Sequence, residues 1–400
     1  FMDPILLAVH LNRSLYFLAR GESFKSKLAS IFFSWLHMIP IYRPEISPDE
    51  IHKNKQVFQR CFDHLSKGKA IMIFPEGVSE TVRRLRHIKT GAARIALGAE
   101  QQNNFELGVK IIPIGINYSN PHFFMSDVFV SIGTAIDLKE YYAQYTSDSK
   151  AAVRRLTHEI EFKLGKLLVG VKEQSVDQLI KDIERLYRNK LREKLAPGHK
   201  AEQDFYISRK IAKAVSYYKN ARPDETNKFE NSIRHYFQTL EQLNISDIEF
   251  RKPGQYVQPR WPMIYFVIGL PLLVYGYTVN ILPYKIAETL SRRIIVRKDF
   301  IGSMKLAFGM FIFLLFYILE ISLFTYFTNW ILGLVFIISL YPSGLFAVKF
   351  INQWHRYKAH LNFLKLKRNN QNTVHQLQSL RDELLTELEK GRQMYLQRNS

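Results

Sequence analysis

The stretch Ala70-Ile71-Met72-Ile73-Phe74-Pro75-Glu76-Gly77 decides how the first part of this chain folds. An apolar run stopped by a proline predicts a buried strand that ends at Pro75. Glu76 and Gly77 then stand at the carboxyl end of that strand, where open α/β sheets hold their ligands. Taken alone, the stretch is also a plain strand-to-loop turn. Its surroundings raise it above that. Strand-like runs at 15–19, 70–74, 110–118 and 128–132 alternate with helix-like stretches at 4–11, 25–36, 48–65, 91–100 and 149–168. The alternation predicts an α/β domain, a mixed sheet flanked by helices, over residues 1–170.

Four blocks stand in order along this region: Phe1-Met2-Asp3-Pro4-Ile5-Leu6, Ile39-Pro40-Ile41-Tyr42-Arg43-Pro44, Phe74-Pro75-Glu76-Gly77 continued by Leu85-Arg86-His87-Ile88-Lys89-Thr90-Gly91, and Ile111-Ile112-Pro113-Ile114-Gly115-Ile116-Asn117-Tyr118. In order and spacing they resemble the glycerolipid acyltransferase family, the PlsC-like enzymes that esterify glycerol-3-phosphate and lysophosphatidate. The family's first block is His, four residues, Asp. Asp3 matches its aspartate, and the histidine position falls three residues before Phe1. Because the chain opens on Phe1 and not on methionine, the expectation is a start trimmed within that motif.

The resemblance implies direct acyl transfer, and the chemistry explains the residue types. A poor alcohol nucleophile must lose its proton while a thioester carbonyl is attacked, and a histidine near neutral pKa is the natural base. A neighbouring carboxylate fixes its tautomer and stabilises the imidazolium. Asp3 is the candidate for that task; it also reads as an N-cap before the helix that Pro4 would open. Arg43 can grip a phosphate with its planar fork, or be a surface arginine in a proline-flanked turn. Glu76 would be repelled by phosphate, so it is expected to bind a glycerol hydroxyl or orient a basic partner. Gly77 permits close backbone approach or a positive φ. Arg83, Arg84, Arg86 and Lys89 form a cluster suited to phosphate or to a membrane surface, with Lys89 at a position where the family often has a lysine. Phe74, Pro75 and Pro113 complete the expected substrate site, Pro113 by shaping it.

Two further stretches fit His-x4-Asp formally, His122 to Asp127 and His199 to Asp204, and both fall on the wrong side of the Phe74–Gly77 block. Two-residue patterns arise by chance, so both read as solvated loop histidines. The single cysteine, Cys61, rules out an intrachain disulfide and reads as a core residue at helical spacing.

A formal charge of +20 asks for an acidic partner: anionic lipid, phosphorylated substrate or nucleic acid. No zinc-finger, RNA-recognition or basic-zipper pattern is visible, which leaves nucleic acid with charge alone. Residues 171–258 are charged and read as helical hairpins broken at Pro197-Gly198 and Arg222-Pro223-Asp224. Residues 259–350 read as a membrane region. The run 261–282, divided by Pro271, is about long enough to cross a bilayer, and 306–348 is about twice that, a hairpin turning at Thr328-Asn329-Trp330. Glu320 is the one charge inside the hairpin, a functional or an interfacial residue. The basic residues Lys285, Arg292, Arg293, Arg297, Lys298 and Lys305, and those after 350, should stay cytoplasmic. The acyltransferase-like domain should too, because its substrates are cytosolic. All can share a side only if 261–282 is re-entrant or interfacial. The tail 351–400 carries Val374, Leu377, Leu380, Leu384, Leu385 and Leu388 on one side. That predicts a cytoplasmic amphipathic helix, packed on the catalytic domain or self-associating through 371–397.

The resemblance therefore implies a membrane-bound O-acyltransferase of phospholipid synthesis, with acyl-CoA or acyl-carrier-protein as co-substrate and no metal, nucleotide or prosthetic group. The continuation Asn117-Tyr118-x-x-Pro121-His122-x-Phe124 and the apolar tail look like the yeast-type glycerol-3-phosphate enzymes, which leaves lysophosphatidate as the other acceptor. A membrane lipid-binding or scaffold protein that kept this fold without activity is the alternative.

Overall fold

A computed structural model of the chain describes residues 2–24, 26–43, 46–77, 85–119, 126–170, 176–251, 262–294 and 301–399. The chain divides into two units, Phe1–Lys172 and Glu173–Ser400.

The first unit opens with helix α1 (Met2–His10) and strand β1 (Leu15–Arg20). Helix α2 (Lys27–Trp35) and strand β2 (Met38–Ile41) follow. Helix α3 (Asn54–Ser66), preceded by a 3-10 turn, leads into β3 (Ala70–Met72). The three strands form a parallel sheet in the order β2-β1-β3. Strand residues alternate faces, and Tyr16, Leu18, Ile39, Ile41, Ile71 and Ile73 all pack on the same core as Val57 and Cys61 of α3. Cys61 is fully buried, and burial pushes its thiol up to about 12. It is a core residue, as expected, and carries no thiolate at neutral pH.

Helix α4 (Gly91–Gln102) carries Ile95 into that core and Ala93, Ala96 and Leu97 into a second one. Strands β4 (Lys110–Ile111), β5 (Ile114–Tyr118), β6 (Val128–Ile132) and β7 (Ile136–Asp137) form two antiparallel pairs, β4 with β7 and β5 with β6. The run expected as one strand over 110–118 is thus two, divided at Pro113. That residue has no N–H for a ladder, while its carbonyl accepts from Gly133 at 2.9 Å. Helices α5 (Lys139–Ser147) and α6 (Ser149–Leu167) close the second core with Tyr141, Leu156 and Ile160. Parallel and antiparallel strands are both present, in separate sheets.

The second unit begins with α7 (Asp177–Arg192), α8 (Lys200–Ala221), α9 (Pro223–Gln242) and the short α10 (Ile248–Arg251). The breaks fall at Pro197-Gly198 and at Arg222-Pro223, with Pro223 opening α9 where a missing N–H costs nothing. Three helices long and apolar enough to cross a membrane come next: α11 (Pro262–Ile294), α12 (Ile301–Phe327) and α13 (Trp330–Asn369). Helix α11 continues through both Pro271 and Pro283. The turn between α12 and α13 sits where the hairpin was expected, with Asn329 capping α13 through a 2.9 Å bond from the Leu332 N–H.

Helix α14 (Gln371–Asn399) ends the chain. It lies on α7 and α9, with Leu377 and Leu384 buried. Arg381 pairs with Asp247 at 2.8 Å, and Tyr236 and Arg251 donate to the same carboxylate at 2.9 Å each. Lys194 meets Glu389 at 2.6 Å, and the Tyr218 hydroxyl donates to the Gly391 carbonyl at 2.8 Å. The apolar stripe that suggested self-association is therefore used within the chain, on the charged helical region.

Candidate active site

The site grows from the carboxyl ends of the parallel strands. Beyond β2, the Arg43 guanidinium donates through Nη1 to the Gly77 carbonyl at 2.8 Å, bridging the loops that follow β2 and β3. Its Nε is buried and unbonded among the described residues. Glu22 and Ser47 stand beside it, hydrogen bonded at 3.0 Å. Burial pulls the Glu22 carboxyl up, but hydrogen bonds from its own backbone and Ser47, with the charges of Arg43 and Arg20, hold it below its usual range. The Glu22 carboxylate thus lies within electrostatic reach of the Arg43 guanidinium. No sequence signal singled out Glu22.

Gly77 has φ +68°, the left-handed conformation for which glycine was expected here. A Cβ on it would lie 3.2 Å from the Lys89 side chain. The Lys89 backbone N–H donates to the Pro75 carbonyl at 2.7 Å, so the chain folds back over Pro75-Glu76-Gly77. Arg43, Gly77 and Lys89 are thereby brought together from three stretches of sequence. Phe74 is exposed and Glu76 partly buried in the same turn. Pro113 is buried at the β4–β5 break, where it shapes the backbone. Arg86 is partly buried; Arg83 and Arg84 lie outside the described residues.

A second cluster forms around Asp3. This residue sits in the first turn of α1, and its Oδ1 accepts the Tyr118 hydroxyl from the end of β5. Burial, then this bond to Asp3, push the Tyr118 phenol upward, so it stays protonated and donates. Asn117 beside it clamps the end of α6, donating to the Leu167 carbonyl at 2.9 Å and accepting from Val169 at 3.0 Å. One Asp3 oxygen is thus held in place.

The two formal His-x4-Asp matches give no second site. His199 precedes α8, and Asp204 is engaged by Arg192. His122 lies outside the described residues.

The first unit thus gathers Arg43, Gly77 and Lys89 at the ends of a parallel sheet and holds Asp3 against Tyr118, and its likeness to known proteins can be set beside that geometry. Residues 1–117 match the acyltransferase family model, and over this domain the chain is similar to glycerolipid acyltransferases. The chain is 28% identical to glycerol-3-phosphate O-acyltransferase 1 of Saccharomyces cerevisiae over 288 residues, 68% of this chain and 37% of the relative. It is 30% identical over 136 residues to glycerol-3-phosphate O-acyltransferase 2 of the same yeast, 34% of this chain and 18% of the relative. An uncharacterized acyltransferase of Schizosaccharomyces pombe is 28% identical over 147 residues, 36% of this chain and 21% of the relative. The chain thus spans about a third or less of the length of these relatives. No solved structure matches it. The chain thus carries an acyltransferase-like domain and, after it, three helices long and apolar enough to cross a membrane.

Proposed function

We propose that this chain transfers a fatty acyl group from an acyl thioester to a hydroxyl of glycerol-3-phosphate. The observation that carries the reading is the meeting of Arg43, Gly77 and Lys89 at the carboxyl ends of β2 and β3. Two cations against a left-handed glycine suit a phosphate monoester. Arg43 keeps an unbonded Nε for it. Glu76, in the same turn, would take a glycerol hydroxyl.

The base is a histidine, for which the family pattern gives a position three residues before Phe1. It takes the hydroxyl proton as the oxygen attacks the thioester carbonyl. The thiol leaves, and the proton passes to it. Asp3, held by Tyr118, would orient that histidine and stabilise its charged form. The reaction so written calls on no metal or prosthetic group; acyl-CoA or acyl-carrier-protein is the donor.

The choice of glycerol-3-phosphate over lysophosphatidate rests on the length of the first similarity. Its 288 residues exceed the first unit, so it extends into the helices that follow. Short lysophosphatidate enzymes need no such region. The domain is assigned to the cytoplasmic face, where acyl thioesters and glycerol phosphates are found.

Thiol release from palmitoyl-CoA by the gene-length protein in detergent tests this. Release that requires glycerol-3-phosphate and is lost in Glu76→Ala supports the reading. Release with lysophosphatidate alone moves the protein to the second acylation. No release with either acceptor leaves a lipid-binding protein of the same fold.

A further inference from the structure

Three helices in the second unit are long enough to cross a bilayer, yet the contacts around them do not permit three crossings. The residues at and just before α10 meet the last turns of α13 and helix α14 directly. Glu249 pairs with the buried His360 at 2.8 Å, and Asp247 with the buried Arg381 at 2.8 Å. Residues before α11 and after α13 therefore lie on the same side of any membrane, the near side. An odd number of crossings between them would part these pairs.

The contact register identifies the helix that does not cross. The first half of α11 runs antiparallel to α13. Phe266 stacks edge-on with Trp354 at 5.1 Å, Gly269 is met by Phe350, and Gly276 lies so close to Ser343 that a Cβ would sit 2.3 Å from its carbonyl oxygen. The start of α11 is thus level with Trp354, two turns from His360, on the near side. From there back to Trp330, α13 spans roughly 35 Å, enough for the hydrocarbon layer. The α12–α13 turn then lies on the far side, where Phe324 and Phe336 stack at 4.5 Å. Helix α12 returns over roughly 40 Å, which puts its start near again.

From Asn280, which also touches Gly344 of α13, α11 pairs with α12. Tyr317 donates to Asn280 at 2.7 Å, and Lys305 meets Glu288 at 3.3 Å. Arg292 also holds Glu288, at 2.9 Å. Six residues join Ile294 to Ile301. Their full reach is roughly 25 Å, less than the hydrocarbon thickness of about 30 Å. The end of α11 must share the near side with the start of α12.

We infer that α12 and α13 cross the bilayer and that α11, bent at the prolines inside it, Pro271 and Pro283, enters and leaves it on the near side. Its middle, Tyr275 to Asn280, reaches deepest, where Tyr275 bonds Ser339 at 2.5 Å and Asn280 takes the Tyr317 hydroxyl. Its charged end, Lys285 to Arg293, lies with Lys305 at the headgroups, whose anionic lipids favour such a cluster. The inference does not depend on the acceptor or on activity.

Single cysteines in a Cys61→Ala background test it. Arg293→Cys, Thr328→Cys and Lys367→Cys are reconstituted in sealed vesicles. Each is treated with a membrane-impermeant maleimide before and after detergent. Positions 293 and 367 should react from one side and 328 from the other. Reaction of 293 with 328 and against 367 would make α11 a crossing helix and overturn the inference. Reaction of all three from one side would overturn it too, by removing the hairpin. Because a variant can fail to insert, glycosylation acceptors placed after the same residues give a second reading in microsomes. Modification at 328 alone, or at 293 and 367 together without 328, agrees with the inference; any other pattern contradicts it.

Discussion

Two residues carry the site at the finest scale, and each can be altered by little. Gly77→Ala forces a Cβ into the left-handed region, at about 1–2 kcal/mol, and pushes on Lys89, 3.2 Å away. The expected result is a several-fold rise in KM for the phosphorylated acceptor with a drop of a few degrees in Tm, read by kinetics and thermal melting together. Tyr118→Phe removes the donor to Asp3 and little else. A hydrogen bond to a charged group is worth about 1.5–3 kcal/mol, so kcat should fall about tenfold or more while KM stays near its original value. Arg43→Lys keeps the charge but loses the fork, and KM for the acceptor should rise more than kcat falls. The left-handed turn at Gly77 was legible in the sequence because a glycine follows the strand and its proline there. The Asp3–Tyr118 bond was not. It joins residues 115 apart, and no local pattern encodes a tertiary hydrogen bond.

Elements were legible in proportion to their periodicity. Strands β1 and β6 and helices α4 and α6 lie within a residue or two of the apolar runs that foretold them. Strand β2 was missed because Pro40 reads as a strand breaker. It stands at the edge of the sheet, where a missing N–H leaves no bond unmade. Helix α5 was missed because Lys139–Ser147 has one buried side chain and no stripe. Helix α11 gives the element-scale prediction. Gly276→Leu should separate α11 from α13, since the backbone of Ser343 occupies the space; the variant should lose monodispersity in detergent on size exclusion. Helix α14 gives a pH prediction. Bonds from Lys194 and Tyr187 outweigh burial and lower the Glu389 pKa below its usual value. The stability this contributes is complete above the unfolded value of about 4.3 and drains away as pH falls through the lower folded value. Melting from pH 7 to pH 3 should show Tm falling more steeply in the parent than in Glu389→Gln.

At the scale of the whole molecule, the chain divides into the units Phe1–Lys172 and Glu173–Ser400, and the sequence foretold an acyltransferase-like domain before a membrane region. It did not foretell where the tail would dock. Amphipathic spacing says that a helix has a partner and never which one. Here the partner lies more than a hundred residues back, through the Asp247–Arg381 and Glu249–His360 pairs. Removing residues 371–399 would leave Asp247 without Arg381 and expose the faces of α7 and α9 that Leu377 and Leu384 cover. Losing one partner of a buried ion pair typically costs about 3–5 kcal/mol. The truncated protein should be cut quickly by trypsin within 177–251, with the 1–172 fragment persisting.

That late clasp also sets a timetable for synthesis. A ribosome makes 177–251 well before it makes Arg381. Until the last helix emerges, Asp247 waits without its arginine and the apolar faces of α7 and α9 stay uncovered. Contacts so distant in sequence are slow to close, and exposed apolar faces invite aggregation meanwhile. Two further steps, threading α12 and α13 into the bilayer, stand between the first half of the clasp and the second. Yield in cells should therefore follow the speed of membrane insertion more closely than the intrinsic stability of the helical unit.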